Sequence, residues 1–299
     1  PLSVRGNHPS AASLLARMAS IRDGCETGAM REGTLLGVLE RAGRGSVQVW
    51  QETLATLSFL GETLWTTAKL LGRPWRIRWT ATVAVMEEAG LDALPIIAFL
   101  SYFVGMVVAF IGATTLRDFG ATIFTVELVG YSVYREFGVV LTAIILAGRT
   151  NSSFAAQIGA MRMRQEIDAM ATLGLSPMAV LVAPRVMAMV IMTPVQTFVA
   201  TLAGVAGGAT VGWLVLDIGP TSFFARLQDY VPLSNFWVGM SKAPIYGLVV
   251  AMIGCRQGLL VGGSVQSLGR RTTTSVVQAI FAVIVLDALF AIFYMELGI

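Results

Sequence analysis

Residues Val186–Leu216 read VMAMVIMTPVQTFVATLAGVAGGATVGWLVL, thirty-one positions without one Asp, Glu, Lys or Arg. A bilayer is crossed by about 20 apolar helical residues. This stretch is longer, so it has room to tilt or to bend at Pro194. Working outward, comparable runs appear on both sides. Ala93–Leu116 lies between Asp92 and Arg117. Leu128–Gly148 is interrupted only by Arg135-Glu136, Tyr230–Cys255 only by Lys242, and Thr272–Met295 only by Asp287. The expected fold is an all-α integral membrane protein with spans at about 93–116, 128–148, 186–216, 230–255 and 272–295.

Composition agrees. Of 299 residues 55% are hydrophobic and 13% charged, against about a quarter charged in a soluble domain. A water-soluble enzyme is thereby disfavoured. The charges cluster: residues 1–92 hold ten basic and nine acidic groups. The net charge is only +3, and no basic cluster is interleaved with aromatics, so nucleic-acid binding has no support. His8 is the one histidine, which removes a histidine metal site or a Ser-His-Asp relay. Cys25 and Cys255 make no metal cluster and no disulfide framework. Lys69 follows Ala68 and Lys242 follows Ser241, so neither lysine fits a phosphate-binding loop. Nucleotide hydrolysis by this chain, and a cofactor of its own, are not expected. Residues 1–45 contain no long apolar run, so no signal peptide is expected.

Arginine placement predicts the orientation. With a cytoplasmic N-terminus, segments 1–92, 149–185 and 256–271 are inside and hold 17 of the 21 basic residues. The outer connections hold only Arg117 and Arg226. Five spans then place the C-terminus on the outer, periplasmic side.

Ahead of the first span, Val47, Trp50, Leu54, Leu57, Gly61, Leu64, Ala68 and Leu71 recur at three- and four-residue intervals, one face of a helix. Arg73-Pro-Trp-Arg-Ile-Arg-Trp79 follows, residue types suited to a headgroup layer. Residues 46–71 are therefore expected to lie along the inner membrane surface, the alternative being a helix packed in a small soluble domain. Residues 1–45 form a polar extension.

Between the second and third spans, Asn151, Ser152 and Ser153 are N-cap types, and Gly174-Leu-Ser-Pro177 is a helix stop. Phe154, Ile158 and Met161, then Met163, Ile167 and Met170, keep helical spacing. A helix over about 151–173 is expected, with a charged set Arg162, Arg164, Glu166 and Asp168. An inner loop with such apolar positions is suited to docking on a cytoplasmic partner. The alternative is that its acids only solvate the helix.

Charges within spans are costly and tend to be functional. By helical rise, Arg135, Glu136, Lys242 and Asp287 fall in one layer, about 20–24 Å from the inner boundary. Their charges sum to zero. Arg135 and Glu136 point about 100° apart, so each needs a partner on another helix. Two readings stay open: Arg135 and Lys242 meet a lipid phosphate with Glu136 positioning them, or the charges pair between helices, Glu136 with Lys242 and Asp287 with Arg135. Other functions consistent with a multi-span chain are an ion-coupled secondary transporter using Glu136 and Asp287, an intramembrane enzyme, and a scaffold for an outer-side protein.

Several stretches together resemble the MlaE/YrbE-type permeases, membrane subunits of ABC transporters that work with MCE proteins. They are Tyr134-Arg-Glu-Phe-Gly138, Ala147-Gly-Arg-Thr150, Ala155-Ala-Gln-Ile-Gly-Ala-Met161, Glu166-Ile-Asp-Ala-Met170 and Gly174-Leu-Ser-Pro177. Pro184-Arg185, Arg271-Thr-Thr-Thr-Ser275 and Val285-Leu-Asp287 complete the set, which covers residues 46–299 in order. The resemblance implies a bacterial inner-membrane homodimer of five-span subunits driven by a separate cytoplasmic ATPase dimer that carries the ATP and Mg. It further implies a periplasmic MCE-domain protein, a STAS-domain accessory protein, and phospholipid or a similar lipid as cargo moved between inner and outer membranes. The 151–173 segment would be the coupling helix, with Phe154, Ile158, Met161, Arg162, Arg164, Glu166 and Asp168 facing the ATPase. Arg135, Glu136 and Lys242 would border a lipid cavity lined by Val108, Leu116 and Phe119, with Asp287 a structural charge. Residues 10–42, with Leu14, Leu15, Met18 and Ile21 in helical rhythm, would be the remnant or the end of a STAS-like domain. The chain departs from the family at Asn151, where small residues are usual, at Phe137-Gly138-Val139, where Leu-Gly-Pro is usual, and at Gln157 and Gln165, where Glu is usual.

Overall fold

In the computed structural model of the chain, the described residues are 35–73, 75 and 77–298; the rhythm read at Leu14, Leu15, Met18 and Ile21 lies outside them. The chain divides into two compact units, Pro1–Ala55 and Thr56–Ile299. The described part of the first unit is helical and belongs to α1, Leu35–Leu71. The second unit contains five helices long and apolar enough to cross a membrane. No strand occurs among the described residues, and helices satisfy every backbone group within the hydrocarbon without a neighbour.

Span 1, Trp79–Arg117, is built from α2 (Trp79–Val85), a π turn Met86–Gly90, a 3-10 turn Leu91–Ala93 and α3 (Leu94–Arg117). It starts fourteen residues before the apolar run because the exposed acids Glu87, Glu88 and Asp92 ride on the helix without ending it. Span 2, Thr122–Met163, comprises α4 (Thr125–Ser132), a π turn Val133–Phe137, α5 (Gly138–Leu146), a π turn Ala147–Asn151 and α6 (Ser152–Met163). Then come α7 (Glu166–Thr172), span 3 as a π turn Met178–Val182 leading into α8 (Ala183–Leu216), and α9 (Pro220–Tyr230). Span 4 is α10 (Leu233–Leu259) and span 5 is α11 (Val265–Glu296).

The helix expected over about 151–173 is interrupted. Its first half is the end of span 2, and a break follows at Arg164-Gln165, where Gln165 takes a left-handed φ of 59°. Asn151 does not cap: it is helical, fully buried and inside a π turn. Ser152 Oγ instead turns back to the Gly148 and Arg149 carbonyls at 2.7 and 2.8 Å, the competing use of a hydroxyl inside a helix.

Span 3 is the central helix, packed most extensively against span 1 and then span 4. At the span 1 contact a Cβ on Gly105 would coincide with the Gly204 carbonyl, and one on Gly207 with the Tyr102 carbonyl. Glycine is thus required for these backbones to touch, and Tyr102 and Thr210 share a hydroxyl–hydroxyl hydrogen bond of 3.0 Å beside them. The main core gathers Val139, Leu146, Ile158, Val182, Met189, Tyr246 and Val250 from spans 2, 3 and 4. A second cluster joins Val126, Val129, Val133, Val205, Phe223 and Leu227 toward the other end. Within the second unit, α1 packs Phe59 and Leu60 on the main core, and Thr63 is buried. Leu57, Gly61, Leu64 and Ala68, the apolar stripe read from the sequence, face outward.

Candidate functional site: a charged cluster beside an apolar groove

Span 4 presents Asn235, Gly239, Lys242 and Tyr246 at intervals of three and four, one face of a helix. That face meets the π turn of span 2. Glycine at 239 allows the approach, since a Cβ there would fall on the Tyr134 carbonyl. The Lys242 ammonium, fully buried, donates to Glu136 Oε2 at 2.6 Å and to Asp287 Oδ1 of span 5 at 3.1 Å. The Tyr246 hydroxyl donates to the same Asp287 oxygen at 2.7 Å. Arg135 Nε lies 3.8 Å from Glu136 Oε1, and Arg135 Nη1 donates to Asn235 Oδ1 at 3.4 Å. The structure therefore brings the four span charges together across three helices. One pairing differs from expectation: Asp287 partners Lys242 rather than Arg135, because Lys242 projects between spans 2 and 5 while Arg135 turns toward Asn235.

The two cations differ in access. Lys242 has no exposed surface, whereas the Arg135 and Glu136 side chains are about a quarter to a third exposed, at 26% and 33%. A buried ammonium is tolerable only with its charge balanced; here two carboxylates accept from it, and the Tyr246 hydroxyl donates to one of those carboxylates.

Next to this cluster, between span 1 and the start of span 2, is a groove of about 410 Å³ lined by Val108, Ile111, Gly112, Thr115, Leu116, Leu128 and Phe137. The lining is almost wholly apolar. Val108 and Leu116 contribute as expected, but Phe119 does not; it is 79% exposed in the turn after α3. Phe137 follows Glu136 directly, so one π turn supplies part of the groove wall and two of the four charges. Phe137 also lines a narrower crevice with Ser101, Gly105, Gly138 and Gly204. Next to the groove residue Leu128, Glu127 forms an ion pair of 2.6 Å with Arg226 of α9, whose guanidinium carbon lies 5.5 and 4.8 Å from the Phe124 and Tyr230 ring centroids.

The opposite, arginine-rich end carries the segment read as a docking helix. Phe154 and Ile158 are 2% and 0% exposed and belong to the main core. They anchor α6 inside this chain rather than facing outward, and Met161 packs partly on the same core. The charged residues pair locally, Arg162 with Asp168 at 3.1 Å and Arg164 with Glu166 at 3.8 Å, closing the turn between α6 and α7. The outward apolar residues are Leu173 and Leu175, on either side of Gly174, whose φ is +75°.

Sequence reasoning missed Asn235, Tyr246 and Phe137. The first two were detectable, lying seven residues before and four after Lys242 on its helical face; Phe137 gave no signal beyond adjacency to Glu136.

Comparison with known proteins fits this architecture. The family model described as Permease MlaE matches residues 82–293, from the first turns of span 1 to the end of span 5. A probable ABC transporter permease protein of Synechocystis sp. is 33% identical over 246 residues, 82% of this chain and 92% of that protein. The intermembrane phospholipid transport system permease protein MlaE of Haemophilus influenzae is 32% identical over 222 residues, 73% and 84% of the two chains. A probable ABC transporter permease protein of Rickettsia prowazekii is 33% identical over 196 residues, 66% and 76%. Five apolar helices, a charged cluster shared by three of them and a family match across nearly all of the membrane-spanning part lead to one assignment: the chain belongs to the MlaE family of ABC transporter permeases.

Proposed function

We propose that this chain is the membrane subunit of a transporter that moves phospholipid, or a similarly hydrophobic lipid, between the inner and outer membranes. The observation that carries the reading is the shared π turn, which places an apolar groove of acyl-chain character beside an electroneutral charged cluster. Acyl chains would lie along Val108, Ile111, Leu116 and Leu128. A headgroup phosphate would meet Arg135, whose fork is partly exposed and suited to bidentate contact with phosphate. Lys242 would join only by exchanging a carboxylate for the phosphate, so Glu136 and Asp287 hold it ready.

The chain contains no catalytic set of its own on this reading. Two copies work with a cytoplasmic ATPase dimer, a periplasmic MCE-domain protein and a STAS-domain accessory protein. The N-terminus is cytoplasmic and the C-terminus periplasmic, as the arginine distribution supports. The ATPase engages the turn from Arg162 to Leu175, with Leu173 and Leu175 as its apolar contacts.

Arg135→Ala and Lys242→Ala, reconstituted with the ATPase in vesicles, should lose most ATP-dependent lipid transfer while still binding the ATPase. Normal transfer by both variants would remove the phosphate-binding role. Transfer that continues without ATP and collapses with the proton gradient would select an ion-coupled transporter instead.

A further inference from the structure

At the arginine-rich end a second polar chain crosses three elements. Glu88 sits in the π turn of span 1, Gln157 on α6, and Arg185 in the first turn of α8. Gln157 Nε2 donates to Glu88 Oε1 at 2.9 Å and to Ser153 Oγ at 3.3 Å. Gln157 Oε1 accepts from Arg185 Nη2 at 3.0 Å. Arg185 Nη1 in turn donates to the Leu181 carbonyl at 2.9 Å, and its guanidinium carbon lies 5.5 Å from the Phe154 ring centroid. An amide donates at one end and accepts at the other, which is what a bridge from a carboxylate to a guanidinium needs. A carboxylate at position 157 would keep Arg185 but repel Glu88.

The bridge lands where span 1 is irregular. The π turn Met86–Gly90 passes into the 3-10 turn Leu91–Ala93. The Ala89 and Gly90 carbonyls accept from Nε2 of the fully buried Gln196 of α8, at 3.0 and 2.9 Å. Such a turn lets a helix change direction without losing backbone hydrogen bonds. Span 3 thus holds the irregular turn from the core side, and α6 holds it through Gln157. Beyond that turn, the same span supplies Val108, Ile111, Gly112, Thr115 and Leu116 to the groove.

We propose that Gln157 is a positioning residue for transport. It ties the segment displaced by the ATPase to the irregular turn of span 1 and to the start of span 3, so displacement of α6 is passed to the helix that walls the groove. The proposal rests on the reading of the Arg162–Leu175 turn as the ATPase contact.

The test uses the complete transporter in proteoliposomes, reading ATPase binding, ATP hydrolysis, and lipid moved per ATP hydrolysed. Gln157→Leu should bind the ATPase and hydrolyse ATP as wild type does, while lipid moved per ATP falls about tenfold, a rate effect on the scale of one charge-assisted hydrogen bond. Gln157→Glu should fall similarly. Adding Glu88→Gln to it should restore the ratio. The amide introduced at position 88 would then donate to the carboxylate introduced at position 157, which still accepts from Arg185. A wild-type ratio in Gln157→Leu overturns the proposal, as does absence of recovery in the Gln157→Glu, Glu88→Gln pair. Wild-type protein that neither binds the ATPase nor responds to ATP overturns the parent transport reading, and the proposal with it, before any variant is compared.

Discussion

A lysine ammonium removed from water must keep its charge balanced, and Lys242 does so with carboxylates from two other helices. Removing the cation takes from Asp287 the ammonium it accepts from and leaves Glu136 with Arg135, 3.8 Å away. Lys242→Met should therefore lower stability by about 3 kcal/mol, measured by denaturant unfolding in lipid nanodiscs. Adding Glu136→Gln and Asp287→Asn should recover most of that stability without recovering lipid transfer, because no buried carboxylate is then left without Lys242 while the phosphate site of the proposed function still lacks its lysine. Unrecovered stability in the triple variant would mean that Lys242 holds the helices by contacts other than these two. The four charges were legible as a layer from helical rise alone. Their pairing was not: it depends on the rotation of span 4 about its axis, which seats Lys242 between spans 2 and 5 and leaves Arg135 to Asn235.

At the scale of elements, helix ends were the least legible feature. Charges mark where hydrocarbon ends, but a helix continues until its backbone is diverted, so span 2 runs past Asn151 to Met163. The period of Phe154, Ile158 and Met161 correctly signalled one apolar face. A partner and this chain's own core make the same demand of such a face, and here the core takes it: Ile158 packs against Gly258, where a Cβ would meet it at 2.7 Å. On the proposed function, docking then falls to the exposed turn. Leu173→Asp together with Leu175→Asp should reduce ATPase capture in a pull-down by about tenfold or more, with the isolated permease still folded. Reversal of Glu166 or Asp168 to Lys should weaken capture less, since these acids close the turn through Arg164 and Arg162. Full capture by the leucine pair would move the docking surface elsewhere.

For the molecule as a whole, the two ends differ in charge, and that asymmetry carries the orientation. In a background with Cys25→Ser and Cys255→Ala, single cysteines at Asp118 and Asp217 should react with an impermeant maleimide added outside intact cells. A cysteine at Leu175 should react only after the membrane is opened. The reverse pattern would invert the orientation and place the α6–α7 turn out of reach of a cytoplasmic ATPase. Exposed apolar residues along spans 1 and 5, such as Phe103, Phe110, Phe281 and Leu289, suit a molecule surrounded by hydrocarbon rather than water. In that setting small-residue contacts like Gly105 on Gly204 bring spans together, since apolar side chains gain nothing from leaving lipid for one another.

From its amino acids alone this chain is an all-helical membrane protein with five spans and four span charges, because bilayer thickness and helical rise are constants that turn uncharged run lengths directly into spans. The family resemblance was also carried by short local stretches. Tertiary structure alone decided which charges pair, that Phe137 joins the groove to the charged cluster, and that Phe154 and Ile158 serve the core. Each of those depends on how one helix is rotated against another, and a helical periodicity specifies that a face exists without specifying what it meets.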